Sequence, residues 1–180
     1  MENFKIRAYR EDTDLQTIYE NYCLLIGRTA AFYLSGTSPY PALATFSDSI
    51  RKESERTYYP FIVADPKDHP IGIAHTSKLD RKCRHYHFSV YLWENAELTE
   101  DVLRRVMDMV LNRTANMVVC KIPGYQTEFL AAARNVGMTL VGCIPDYVFY
   151  KSENGVLDIW PEYTFIMKSQ SWTEQKESEE

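Results

Sequence analysis

Two histidines and a carboxylate offer the chain's most usable chemistry. His85 and His87 stand two residues apart, Ser89 continues the series, and Glu94 follows. In an extended strand residues two apart share a face, so His85, His87 and Ser89 project together. A neutral imidazole takes up a proton near pH 7, and a suitably placed carboxylate can do the same. His87 and Glu94 are therefore the candidate catalytic bases, with His87 preferred for its place between His85 and Ser89. The plainer alternative is a polar strand face that meets solvent or the polar side of a helix. His85-x-His87 has no third ligand at a suitable spacing, so no metal site is expected. Cys23, Cys83, Cys120 and Cys143 lie far apart with no CxxC, which fits reduced, partly buried thiols in a cytoplasmic protein.

These side chains need a scaffold, and the surrounding pattern supplies one. Residues 84–93 alternate, with Tyr86, Phe88 and Val90 opposite the histidines. Before them, Phe61-Ile62-Val63-Ala64 and Ile71-Gly72-Ile73-Ala74-His75 read as a hairpin around Asp65-Pro66. After them, Leu98, Val102, Val106 and Val110 recur every fourth residue, with Leu103 and Met107 on the next ridge, which is helical spacing. Phe4, Ile6 and Ala8 mark a first strand. Asp12 or Thr13 is the expected cap of the following helix, whose apolar face is Leu15, Ile18, Tyr19, Tyr22 and Ile26, with Gly27 as its stop. Residues 28–34 read as a second short helix. Residues 35–44, with Gly36, Pro39 and Pro41, are the longest loop signal, a plain connection or a substrate lid. Ser47 or Asp48 then caps a polar helix to about Thr57.

The hairpin tip, 77–84, is half basic and reads as a solvated turn that could also meet a phosphate. Met117-Val118-Val119-Cys120 suits a buried strand, ended by Pro123-Gly124. Residues 125–136 read as a helix with Phe129, Leu130, Ala133 and Val136 inward and Gly137 at its end. A long strand follows, interrupted near Pro145-Asp146. Glu153-Asn154-Gly155 is a turn, and 160–167 is a last strand.

A chain of 180 residues, 45% hydrophobic, with thirteen Tyr and eight Phe, points to one domain with an aromatic-rich core. No run approaches the roughly 20 apolar residues of a membrane span, and the first residues lack the apolar stretch of a secretory signal. Of the net charge of −5, the segment after Lys168 holds four Glu against one Lys, so the body is nearly neutral. A duplex-binding protein would show a basic face, so neither nucleic acid nor membrane is expected as a partner. The division predicted is a domain over 1–168 and an acidic, disordered tail over 169–180.

The element order is strand, helices, three strands, helix, strand, helix, two strands. It resembles the GNAT superfamily of acyl-CoA-dependent N-acyltransferases. Phe61 to Ala64 with Pro70-Ile71-Gly72-Ile73-Ala74 is similar to that family's central hairpin, which commonly opens its second strand with an aliphatic-Gly pair. Ala131-Ala132-Ala133-Arg134-Asn135-Val136-Gly137-Met138-Thr139-Leu140-Val141-Gly142 resembles its fourth helix and the strand after it. Asn154-Gly155, Asp158 and Phe165-Ile166-Met167-Lys168 resemble its C-terminal strands. The resemblance implies an α/β (α+β) fold: a GNAT-like mixed, mainly antiparallel sheet of six to seven strands with about four helices.

It also implies acetyl transfer from acetyl-CoA to an amine of a small molecule or peptide, with His87 or Glu94 as the base. The thioester slot is a splay between the fourth and fifth strands, which maps the cofactor-binding backbone onto Val90, Tyr91 and Leu92, with Asn95 beyond. A homodimer is compatible with these features. Two departures stand out. The family's glycine-rich, basic loop for the CoA pyrophosphate corresponds here to Trp93-Glu94-Asn95-Ala96-Glu97-Leu98-Thr99-Glu100-Asp101, without Gly or a basic residue. Carboxylates in the first turns of a helix suit its dipole but repel a pyrophosphate at the same amides. The Tyr that many members place four residues before the helix-ending Gly is Ala133. The alternative function is a catalytically degenerate GNAT-like domain that binds a ligand or protein.

Overall fold

The fold was obtained as a computed structural model that describes residues 3–28, 42–55, 61–80, 82–111, 115–151 and 157–179. Its elements run β1 (Lys5–Ala8), α1 (Glu11–Arg28), α2 (Leu43–Glu55), β2 (Phe61–Ala64), β3 (Pro70–Asp80), β4 (His85–Leu92), α3 (Thr99–Leu111), β5 (Met117–Pro123), α4 (Thr127–Asn135), β6 (Thr139–Lys151), β7 (Leu157–Lys168) and α5 (Ser169–Glu179). A single 3₁₀ turn, Ala96–Leu98, leads into α3. The strands form one seven-stranded sheet in the order β1-β2-β3-β4-β5-β7-β6. Every neighbouring pair is antiparallel except β4 and β5. A helix must carry the chain back between parallel neighbours, and α3 does so. No helix among the described residues is long and apolar enough to cross a membrane.

Strand alternation gives the sheet two apolar faces. Tyr86, Phe88 and Val90 of β4, Val118, Cys120 and Ile122 of β5, and Phe165 and Met167 of β7 pack under the stripe Val102, Leu103, Val106, Met107 of α3 and Phe129, Leu130, Ala133 of α4. On the other face Ile62 and Ala64 meet Ile18 of α1 and Phe46 and Ile50 of α2, where Tyr19 and Phe46 stack edge to face at 5.4 Å.

Local chemistry moves several boundaries from where the sequence pattern set them. Helix α1 begins at Glu11 because the fully buried Asp14 accepts from the Arg10 N–H at 2.8 Å and from the two terminal guanidinium nitrogens of Arg7, at 2.7 and 2.8 Å. Burial pushes the Asp14 carboxyl up, but Arg7 and the Arg10 N–H outweigh it and hold the group below the usual carboxylate range. Arg7 and Arg10 also bind Asp68 in the β2–β3 turn, so one ionic knot fixes β1, α1 and that turn. Helix α2 begins at Leu43, ahead of Ser47. The interruption at Pro145-Asp146 is a shift of register within a continuous β6, with Asp146 at φ 51°. The expected helix over 28–34, the loop through residue 41 and the turn at 153–155 lie outside the described residues.

The tail is the clearest correction. Residues 169–179 form helix α5 rather than a disordered segment. Trp172 is 2% exposed and donates its indole N–H to Asp108 Oδ1 of α3 at 3.0 Å. Lys176 reaches the same oxygen at 2.6 Å, and Ser169 N–H joins Asn116 O. One buried aromatic outweighs a polar composition.

Candidate active site

The site grows from the end of the parallel ladder. β4 and β5 pair only at His85↔Met117, Tyr86↔Val118 and His87↔Val119; beyond that point both strands continue without pairing to each other. Which amides face the resulting splay follows from the ladder on the other side. Trp93 N–H donates to Ile71 O at 3.0 Å, and Tyr91 is paired with Ile73. Since backbone groups alternate sides along a strand, the amides of Tyr91 and Trp93 turn toward β3, and those of Val90 and Leu92 turn into the splay. Of the three residues named from the sequence for a cofactor slot, Val90 and Leu92 turn their amides into the splay and Tyr91 turns its amide toward β3.

Gly72 makes the approach of β3 to β4 tight at this level. A Cβ there would stand 2.7 Å from Tyr91 O and overlap the Leu92 side chain. The aliphatic-Gly pair of the sequence therefore has a steric cause.

His87 stands where the splay opens, on the face toward α1 and α2. Burial is the main influence on its imidazole, followed by the nearby His75 and Lys121; together they lower its pKa to about 4. His87 is therefore neutral at pH 7, able to accept a proton although weakly basic. His85 lies one step earlier at the closed end of the ladder. Glu94 is exposed, past the end of β4, where its N–H caps Ile71 O at 3.3 Å; the structure does not bring it beside His87.

Register across the sheet adds residues that reading along one strand does not find. His75 pairs with Ser89, Val119 with Ile166, Lys121 with Thr164, and Pro123 with Glu162. Paired residues share a face, so His75, His87, Ser89, Lys121, Thr164 and Glu162 all lie on the α1 side. The available signal was Lys121, a lone charge inside an apolar strand.

At the start of α3, Asn95 adopts φ 55°, ψ 49°, a left-handed turn that Asn tolerates better than most residues. Glu97 and Asp101 are exposed. Glu100 is drawn away toward α4, accepting from Asn135 Nδ2 at 2.8 Å and from Arg104 at 3.3 Å. Ala133 is fully buried and offers no proton. In the basic tip, Arg84 is taken up by Asn116 Oδ1 at 2.7 Å; the side chains of residues 77–81 lie outside the described ones.

No protein-family model and no curated protein matches the sequence. Solved structures do match in three dimensions. Spermidine N-acetyltransferase from Vibrio cholerae in complex with CoA and spermine superposes with TM-score 0.74 at 13% identity, covering 95% of this chain and 98% of that one. A point mutant of the same enzyme gives 0.76 at 12% identity, covering 97% and 98%. A provisionally assigned acetyltransferase from Acinetobacter baylyi gives 0.72 at 12%, covering 92% and 91%. The chain has the fold of the GNAT superfamily.

Proposed function

We propose that the protein is an acyl-CoA-dependent N-acyltransferase that moves an acetyl group from acetyl-CoA to an amine. The observation that carries this reading is the splay: a parallel β4–β5 pair that parts after His87, with the Val90 and Leu92 amides turned into the opening. Two N–H groups held by a rigid strand suit the oxygen of a thioester whose carbonyl carbon is under attack, because the negative charge develops where the donors already point. The neutral amine forms the new C–N bond, the C–S bond breaks, and CoA leaves as the thiolate. His87 accepts the proton that the nitrogen sheds. With Ala133 in place of a tyrosine, the thiolate takes its proton from solvent.

The CoA pyrophosphate would meet the Asn95 turn and the first amides of the 3₁₀ turn and α3. Glu100 is already turned away there, while Glu97 and Asp101 oppose a polyanion, so weak donor binding is expected. That a neighbour binds CoA and spermine supports a CoA donor and a small amine acceptor for this chain. Titration calorimetry with acetyl-CoA, together with release of free CoA thiol in the presence of an amine panel, tests the reading. Heat on acetyl-CoA addition and amine-dependent thiol release are expected, both reduced in Val90→Pro, which deletes one splay amide. Absence of acetyl-CoA binding at millimolar concentration would remove the enzyme reading in favour of a binding module.

A further inference from the structure

Two polar atoms at one end of the α1-side face are left without hydrogen-bond partners among the described residues. The Glu162 side chain is 13% exposed, and its Oε1 is buried and accepts no hydrogen bond. Lys121 Nζ stands 3.9 Å from that oxygen, an ion-pair contact but too long for a hydrogen bond. Trp160, two residues earlier and so on the same side of β7, has its Nε1–H buried without an acceptor. Buried polar groups are nearly always paired, and an unpaired one is costly. The orphan carboxylate oxygen of Glu162 calls for a ligand group that donates hydrogen bonds, whereas the Trp160 N–H, itself a donor, calls for a separate acceptor.

Its position relates it to the transfer site. Glu162 is level with Pro123, four residues beyond Val119, just as Tyr91 is four beyond His87. Glu162 therefore stands at the height of the Val90 and Leu92 amides, two strand spacings away, about 10 Å before the splay is added.

The two ends of this face differ in character. Around His87, burial with His75 and Lys121 nearby favours uncharged groups, which suits an amine that must be neutral to attack. A carboxylate in contact with the reacting nitrogen would do the reverse, holding it protonated. Glu162 suits a charge that stays. We propose that Glu162 binds a second, non-reacting positive charge on the acceptor, which is therefore a diamine or a comparable dication. This rests on the acyl-transfer reading above. Lys121, half exposed at 51% and on a flexible stem, is the resident counter-ion that such a cation displaces.

The test compares wild type, Glu162→Gln and Lys121→Met. Thiol release from acetyl-CoA is followed with hexamethylenediamine and with hexylamine, and binding of hexamethylenediamine is measured by calorimetry. Wild type should favour the diamine in kcat/KM by about tenfold or more, as expected for a charge-assisted hydrogen bond. Glu162→Gln, close to Glu in shape, should bring that ratio near one and weaken diamine binding by a similar factor, and Lys121→Met should tighten diamine binding. A ratio that stays the same in Glu162→Gln overturns the assignment. If no amine releases thiol but Glu162→Gln still loses diamine binding, the acyl-transfer reading falls and the cation site stands. Equal diamine binding by wild type and Glu162→Gln, or no binding by either, overturns the site itself.

Discussion

Trp172→Ala measures how far the C-terminal helix belongs to the domain. In wild type the indole is 2% exposed and its N–H is bonded to the Asp108 carboxylate at 3.0 Å. Truncating a buried Trp to Ala costs about 3–5 kcal/mol through lost transfer energy and the cavity left behind. Asp108 loses one donor but keeps Lys176, so no unpaired carboxylate adds to the loss. For a domain of this size about 1 kcal/mol shifts Tm by about 2–4 °C, and the variant should melt about 6–20 °C lower. Trp172→Phe keeps most of the apolar contact and forfeits mainly a hydrogen bond to a charged group, about 1.5–3 kcal/mol, so it should fall in between. Circular dichroism melts and urea titrations of the three proteins, with a chain ending at Lys168 as a fourth, give the comparison. A disordered tail predicts four coincident melts. If Trp172→Ala and the shortened chain both unfold within about 2 °C of wild type, α5 is not part of the cooperative unit.

Three other outcomes follow from the same structure. Val106→Asp places a carboxylate in a position that is 0% exposed, at a cost comparable to a whole domain's stability, and should abolish the cooperative melt. Glu97→Gln with Asp101→Asn removes two exposed carboxylates beside the expected pyrophosphate site; at about 1 kcal/mol or less each, acetyl-CoA affinity should rise by up to about thirtyfold at low salt and the gain should shrink as salt is added. Glu100 is left out because Asn135 and Arg104 hold it. For His87, burial with His75 and Lys121 lowers the folded pKa from 6.5 to about 4, so the unfolded chain binds the proton first. Its stabilisation is fully present above pH 6.5 and lost as pH falls toward 4, up to about 3 kcal/mol; urea titrations at pH 7 and pH 4.5 should show His87→Gln losing less stability than wild type over that interval.

The sheet was legible because its signals are local. The stripe from Leu98 to Val110 spans one helix, and a helix between two strands implies parallel neighbours, so the pairing of β4 with β5 follows from order alone. The tail was not legible for a related reason. Its composition is polar throughout except for Trp172, and the core and the Asp108 carboxylate of α3 that receive that ring are assembled only once the chain has folded. The knot of Arg7, Asp14 and Asp68 escaped in the same way, since Asp68 is brought to Arg7 by the hairpin and not by spacing.

The site was legible along a strand and hidden across it. Alternation alone puts His85, His87 and Ser89 together, but His75, Lys121 and Glu162 join them only through the register of three further ladders. Direction was hidden as well. Whether an amide looks into the splay depends on the phase of the β3–β4 ladder, fixed by the Trp93 to Ile71 bond, and that phase sets Val90 and Leu92 apart from Tyr91. On the proposed reading, the loop before α3 faces two demands that glycine would meet, a left-handed turn and close approach of backbone to phosphate. Asn95 meets the first through its positive φ, since its short polar side chain tolerates that region. It leaves the second to be met by amides that Glu97 and Asp101 crowd with charge. On the proposed reading, the absence of glycine from this loop bears on how tightly a CoA donor would be held, whereas the splay bears on whether transfer could occur at all.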